Sequence, residues 1–278
     1  MRRISFISVE PHDRSLDEIL LDANLHCLDN LRAIDMKFYT TEPDIVDSFR
    51  AKSCISFPTV TTLELSSSIS LSLIDLISCF PALQEVHIHE MHAIVPFSTS
   101  NDCMPPQGLR CLKLVALSVG PILAWLHGTT YLPNVDSLTL HGLRSDHIGI
   151  VRAALQGLGS ALHHLEIRLD VDFQKTGVNT LALFDLSLHP ELEFLSIRDS
   201  SFGFSAAPRL EWLELELSQR KYQASDWIAM DKLLRLARFP RLRTVVLAPS
   251  YLCDHEQLRA VLPLLDASGV LQPKLKPL

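Results

Sequence analysis

Residues 57–91 read FPTVTTLELSSSISLSLIDLISCFPALQEVHIHEM, and this stretch holds the pattern that decides the fold. One phrase occurs in it twice: an apolar residue, two others, an apolar residue, one other, and a third apolar residue. The two copies are Val60-x-x-Leu63-x-Leu65 and Leu83-x-x-Val86-x-Ile88. The last positions of each copy alternate between apolar and more polar residues, which is the period-two pattern of a strand with one buried face. Each copy therefore predicts a short β-strand.

The same phrase recurs along almost the whole chain. Its nine copies begin at Leu31, Val60, Leu83, Leu109, Val135, Leu162, Leu192, Leu210 and Leu242. Six of them carry a proline two residues earlier: Pro58, Pro81, Pro133, Pro190, Pro208 and Pro240. We expect a strand at each copy and a proline at the strand's entry, where a missing N–H costs no hydrogen bond of the ladder. The start of the chain, Met1-x-x-Ile4-x-Phe6, fits the phrase as a tenth copy.

Helical patterns separate the predicted strands. Ser15 and Glu18 have the spacing of a capping box, which marks a helix start. Further helices are predicted at residues 122–127, 146–158, 227–239 and 258–265. An alternation of strand and helix at a near-constant period predicts an α/β solenoid, in which each unit buries its apolar face against its neighbours.

The phrase and its period resemble the leucine-rich repeat. Residues 57–91 and the segment LPNVDSLTLHGL at 132–143 are similar to the irregular repeat arrays of fungal F-box proteins. The resemblance implies a curved parallel sheet on the concave side and helices on the convex side. Residues 1–268 would form an array of about ten units, and residues 269–278 a C-terminal tail. The family's usual Asn, eight residues after the first position, is missing from all nine copies, so irregular repeats are expected.

The resemblance also implies a function. It predicts a non-enzymatic protein-protein recognition module, the substrate-binding part of an SCF-type ubiquitin ligase receptor that lacks its F-box. The resemblance would place an F-box upstream of the first repeat, and residues 1–278 contain none, so we expect either a truncated gene model or a protein that has lost the box. The SCF adaptor would be a partner only if an F-box exists upstream. A stand-alone repeat scaffold or inhibitor unrelated to ubiquitination is the alternative, and an enzyme built on the concave face is less favoured.

The third, fifth and seventh positions of each strand should face away from the core and line the concave side. The candidate partner-binding residues there are Lys37, Glu64, Glu85, His87, His89, Lys113, His141, His164, Glu166, Arg168, Phe194, Arg198, Trp212 and Glu214. Their mixed charge suits a protein partner better than nucleic acid. Phe194 and Trp212 would adjoin arginines, and aromatic residues and Arg are enriched at binding hot spots. The other interpretation is that a loop covers Phe194 and Trp212, or that each is a single exposed apolar residue.

Two constellations could carry chemistry, and we expect neither to do so. His87 and His89 would share a strand face as two imidazole ligands could, but their strand supplies no third ligand, and His92 falls in the following turn. Cys111 could pair with His89 or His141 as a nucleophile, yet no glycine elbow or oxyanion-hole loop accompanies it. The chain also lacks the common phosphate-binding and metalloprotease motifs. The prediction is no catalytic residue, no metal and no cofactor.

Composition narrows the class of protein further. The formal net charge of −7 argues against a mainly nucleic-acid-binding surface, and 47% hydrophobic residues argue against disorder. No apolar run is long enough for a signal peptide or a membrane span. The six cysteines form no C-x-x-C pair and suggest free thiols. These features predict a cytoplasmic or nuclear protein with no membrane partner.

Overall fold

The computed structural model describes part of the chain, in two compact units. The described residues are 2–8, 30–38, 57–67, 73–91, 104–169, 185–198, 207–217, 224–234, 239–249 and 255–273. The units are Met1–Leu140 and His141–Leu278, and each is an α/β arrangement of parallel strands and helices. The predicted helix after Ser15 and the residue His92 lie outside the described residues.

The first unit follows the predicted phrases strand by strand. Its strands are β1 Arg2–Ser8, β2 Leu31–Phe38, β3 Thr62–Ser67, β4 Glu85–Met91 and β5 Cys111–Val115, and β6 Ser137–Leu143 begins in it. They adjoin in chain order, and the pairs from β1 to β5 are parallel. Within the described residues, the helices α1 Leu73–Ser78 and α2 Val119–Gly128 accompany them. The helix predicted at residues 122–127 is confirmed and is longer at both ends.

The second unit repeats this arrangement. Its strands are β7 His164–Leu169, β8 Phe194–Arg198, β9 Trp212–Leu217, β10 Thr244–Pro249 and β11 Leu271–Pro273, and successive pairs are parallel. Its helices are α3 Ile148–Leu158, α4 Ala224–Leu233, α5 His255–Val261 and α6 Pro263–Ala267. Each phrase, including the one at Met1, therefore coincides with a strand.

Three boundaries differ from the sequence prediction. The helix expected at residues 258–265 is two helices, because Pro263 has no N–H to continue α5 and instead begins α6. The helix expected at residues 227–239 runs instead from Ala224 to Leu233. Residues 271–273, which we expected in a tail, form β11 beside β10, and Val245 N–H donates to the Val270 carbonyl at 2.8 Å.

The core consists of the apolar positions of the phrase. Its fourth and sixth residues are buried in every strand from β2 to β10. They are joined by the inward residues of the helices, such as Ile122 and Leu126 of α2 and Val151 and Leu155 of α3. Burial of these side chains is the main favourable term that holds each unit together, at roughly 1.5–3 kcal/mol per fully buried aliphatic residue.

The prolines have a different role from the one expected at the strand entry. Pro81 is the second residue of a tight turn that the Leu83 N–H closes by donating to the Phe80 carbonyl at 3.0 Å. The same closing hydrogen bond spans Pro58, Pro133, Pro190, Pro208 and Pro240. Proline suits this place because its fixed φ near −65° matches the second residue of a β-turn. Each turn ends before its strand begins, so the prediction of strand-entry prolines was wrong.

A second backbone feature recurs between neighbouring strands. Gln84 and Glu85 N–H both donate to the Thr61 carbonyl, at 2.8 and 3.0 Å. In the second unit, Glu193 and Phe194 N–H donate to the His163 carbonyl in the same way, at 2.9 and 3.0 Å. The turn of one phrase is thus held to the preceding phrase, and this fixes the register of the outward side chains that follow.

Asp231 of α4 ties two helices of the second unit together. Its buried carboxylate accepts hydrogen bonds from the backbone N–H groups of Leu264 and Leu265, both at 3.0 Å. These are amides of the first turn of α6, which have no partner inside their own helix.

Asp231→Ala is expected to lower the free energy of unfolding by about 1–2 kcal/mol, because the substitution removes the acceptor of both amides. Asp231→Asn should lose less, since one oxygen still accepts. Urea unfolding followed by circular dichroism measures both, with exposed Lys232→Ala as the control. Equal stability of Asp231→Ala and Lys232→Ala would show that the cap contributes nothing.

His189 is a buried histidine of the second unit, with 2% of its surface exposed. Its Nδ1 lies 2.8 Å from the carbonyl oxygen of Gly159, the residue that follows α3, and Nδ1–H donates to this oxygen. Burial lowers the pKa of His189 because the charged imidazolium is poorly solvated there.

This lowered pKa predicts a loss of stability in acid. The unfolded chain binds a proton near the ordinary histidine pKa of about 6.5, whereas the folded chain binds it only at lower pH. Stability should therefore fall as the pH drops below about 6.5, by at most about 1.4 kcal/mol per pH unit for this group. In His189→Asn, whose amide keeps a donor for Gly159, the slope between pH 6.5 and 5 should decrease. Exposed His127→Asn is the control, and identical slopes would contradict the prediction.

No helix among the described residues is both long enough and apolar enough to span a bilayer.

Candidate protein-binding face

Three aromatic rings stand in line across the sheet of the second unit. The register aligns His164 of β7 with Phe194 of β8, and Phe194 with Trp212 of β9. The His164 and Phe194 rings are stacked with centroids 4.1 Å apart and planes 5° from parallel, and Phe194 and Trp212 follow at 6.2 Å and 17°. Trp212 is 36% exposed. We call these three residues the aromatic row. Its rings are held in place before any partner arrives.

A charged network lies further along these strands: Glu166 and Glu214 are two residues beyond the aromatic row, and Arg198 is four residues beyond it. Glu166 Oε1 accepts a hydrogen bond from His141 Nε2 at 3.0 Å. Arg198 Nη2 lies 3.7 Å from Glu166 and 3.9 Å from Glu214, so one guanidinium joins two carboxylates. The hydrogen bond from His141 is the main reason why the pKa of Glu166 is lowered, and the charge of Arg198 contributes in the same direction. The ionised form of Glu166 is therefore favoured in the folded protein.

His164 of the aromatic row lies two residues before Glu166 on β7. Burial lowers its pKa, against the opposing influence of the Glu166 charge. A neutral imidazole stacked on Phe194 acts as an aromatic ring at neutral pH. This state favours apolar contact along the aromatic row.

Arg168 stands apart from the network. It is exposed, and the register places it directly beside Arg198 on the neighbouring strand. Among the described residues Arg168 takes part in no ion pair, whereas Arg198 has two carboxylates within 4 Å. The positive charge of Arg168 is therefore available at the surface.

The outward side of the first unit carries ion pairs between its first three strands. Arg3 of β1 contacts Glu64 of β3 and lies 3.5 Å from Asp35 of β2, and Lys37 lies 3.3 Å from the same Asp35 oxygen. Ser5 donates to Asp35 at 3.2 Å. Asp35 is buried beneath these partners, although its position in the phrase predicts an outward side chain. Lys37 and Glu64 are partly exposed, as a contact surface requires.

The histidines of β4 lie next to carboxylates. His87 Nε2 is 3.8 Å from Glu85, and His89 Nε2 is 3.9 Å from Glu64. Burial lowers the pKa of His87 in spite of the nearby acids. The register between β3 and β4 shifts after Leu65, so Ser66 faces Glu90 and not His89 as the even spacing of the phrase predicts. The extra residue is a β-bulge, which spacing alone does not reveal.

The structure gives no support to a metal or a nucleophile in this unit. The described residues contain no group of three or more His, Cys, Asp or Glu side chains placed to hold a metal ion. Burial raises the pKa of the Cys111 thiol, and its side-chain hydrogen bond involves Ser137. A raised pKa makes the thiolate scarce at neutral pH and the thiol a poor nucleophile. Lys113 follows on β5, in register with His87.

The predicted site residues thus fall on the strands of the two units as expected. The first unit carries Lys37, Glu64, Glu85, His87, His89 and Lys113, and the second carries His141, His164, Glu166, Arg168, Phe194, Arg198, Trp212 and Glu214. Phe194 and Trp212 were expected to adjoin arginines, but Arg168 and Arg198 lie four residues further along the strands. The ion pairs of Arg198 with Glu166 and Glu214 were not foreseen. Nor was the buried Ser196 between these two carboxylates, whose hydroxyl has no hydrogen-bond partner in the described residues. Sequence alone does not tell which residues of neighbouring strands lie side by side, so these features could not be predicted from it.

Comparisons with protein-family models, with curated proteins and with solved structures find no match for this chain.

Proposed function

We propose that this chain is a leucine-rich-repeat solenoid that recognises a protein partner with the outward face of its parallel strands. The observation that carries the proposal is the aromatic row of His164, Phe194 and Trp212, with Arg198 four residues beyond Phe194 on β8. Stacked rings of fixed geometry give a partner large contact area at little entropic cost, and such residues dominate binding energy at interfaces.

The repeat part of the proposal has its own support. Both units share three features: the same proline turn, the paired hydrogen bonds to the preceding phrase, and the buried fourth and sixth positions. Each phrase buries its apolar side against neighbouring phrases, as units of a solenoid do. The repeats would be irregular, with a concave sheet and convex helices.

By resemblance, the partner would be a substrate of an SCF-type ubiquitin ligase, and the cell compartment would be the cytoplasm or nucleus. The alternative is a stand-alone scaffold or inhibitor. Co-purification of this chain with the SCF adaptor tests the box-less form of the ligase proposal, which predicts no binding by these residues alone. Stable binding would contradict that form. We propose no enzyme activity, metal or cofactor.

Proximity labelling in the native cell tests the proposal. The chain is fused to a labelling enzyme, and the labelled proteins are compared between the wild type and the double variant Phe194→Ala/Trp212→Ala. Proteins labelled by the wild type and lost in the double variant are then purified and tested for direct binding. A labelled set that is identical for the two chains would contradict recognition through this face.

A further inference from the structure

The face of the second unit has an order that specifies the chemistry of its partner. Along β7 and β8 the outward positions run from the aromatic row, through Glu166 and Ser196, to Arg168 and Arg198. Outward residues recur every second position, so the first and last of these rows are four residues apart. At a rise of about 3.3 Å per residue, roughly 13 Å separates them.

The carboxylates of the middle row already have partners within the face. Glu166 is bonded to His141 and lies near Arg198, and Glu214 shares the same guanidinium. A partner gains little by offering another charge to these carboxylates, because their attraction is already directed at Arg198 and His141.

On β7 and β8 the last row consists of positively charged side chains. Arg168 and Arg198 are direct cross-strand neighbours, and like charges in this position destabilise a sheet. Arg198 is relieved by two carboxylates, whereas exposed Arg168 has no acidic partner among the described residues. An acidic group from a partner would supply the opposite charge that Arg168 lacks among the described residues.

We infer that the second unit binds an extended, acidic protein segment, with an aromatic or aliphatic side chain on the aromatic row and an Asp or Glu at Arg168. The two side chains stand about four residues apart in the partner, because an extended segment along the strands has the same rise per residue. The carboxylate forms a charge-assisted, bidentate hydrogen bond with the guanidinium of Arg168. The inference rests on the proposed function and adds the partner's chemistry to it.

A phage-displayed library of random 12-residue peptides, selected on the full chain, tests this inference. The wild type should enrich peptides with an acidic residue about four positions from an aromatic or aliphatic one. Arg168→Glu should lose the acidic preference, and an individual selected peptide should bind it at least about tenfold more weakly, the factor expected for one charge-assisted hydrogen bond. Arg152→Glu, an equal charge reversal at an exposed position of α3, is the matched control and should leave both results unchanged.

The outcomes separate the inference from the proposed function. Peptides that need Trp212 and are indifferent to Arg168→Glu would overturn the acidic partner and leave recognition through this face intact. Peptides indifferent to both Trp212→Ala and Arg168→Glu would overturn both proposals. A single-stranded oligonucleotide that displaces the peptides, with the same dependence on Arg168, would show a phosphate site and would also overturn the inference.

Discussion

Phe80→Ala is expected to lower the free energy of unfolding by about 3–5 kcal/mol, the range for removal of a buried phenylalanine from a packed core. Phe80 and Phe57 are fully buried, and their rings stack with centroids 5.0 Å apart. Each precedes the proline of a turn, so the two rings join successive phrases of the first unit. Their loss would leave a cavity where neighbouring phrases meet.

Urea unfolding followed by circular dichroism measures this change as a shift of the midpoint at constant slope. Met104→Ala is the control, since Met104 is 64% exposed and its truncation should change stability by less than about 0.5 kcal/mol. A loss below about 1 kcal/mol for Phe80→Ala would show that the stacked phenylalanines do not hold the phrases together.

Trp212→Ala is expected to weaken the binding of a protein partner by about thirtyfold or more, or about 2 kcal/mol, as truncation of a central aromatic residue does at interfaces. The indole is the most exposed ring of the aromatic row and is fixed by stacking on Phe194. Its contact area is therefore available without further ordering of the side chain. Isothermal titration calorimetry with a purified partner from the labelling experiment measures the change.

The matched control for Trp212→Ala is Ile228→Ala. Ile228 lies on α4 of the same unit and is 52% exposed, so it is an apolar residue away from the strands that is more exposed than Trp212. Ile228→Ala should bind the partner as the wild type does. If Ile228→Ala weakened binding of the partner and Trp212→Ala did not, the interface would lie on the helices.

The strands could be predicted from sequence because the phrase itself encodes burial. Leu63 and Leu65 of β3 are buried, as are Leu195 and Ile197 of β8. Successive residues of a strand point to opposite faces, so alternation of apolar residues with others marks the buried face. The role of Pro81 was misjudged, since a fixed φ suits a turn as well as a strand entry and only the hydrogen bond from Leu83 to Phe80 distinguishes them. Strand β11 was missed because a strand of three residues is too short to show a period.

The candidate site was predictable as a set of outward positions and not as a set of interactions. The phrase places Glu166, Arg198 and Glu214 on outward positions, but the register of three strands decides that Arg198 joins both carboxylates. The burial of Asp35 has a similar cause. Its partners Arg3 and Ser5 come from β1, thirty or more residues away in the chain. The β-bulge at His89 depends on one extra residue in β4, which no periodic pattern marks.

Site-specific photo-crosslinking tests most directly whether the outward face of the strands recognises a protein. A benzoylphenylalanine replaces Trp212 in one chain and Ile228 in another, and each chain is irradiated with the purified partner. Recognition through the aromatic row predicts a crosslink to the partner from position 212 and none from position 228. A crosslink from position 228 with none from position 212 would contradict it.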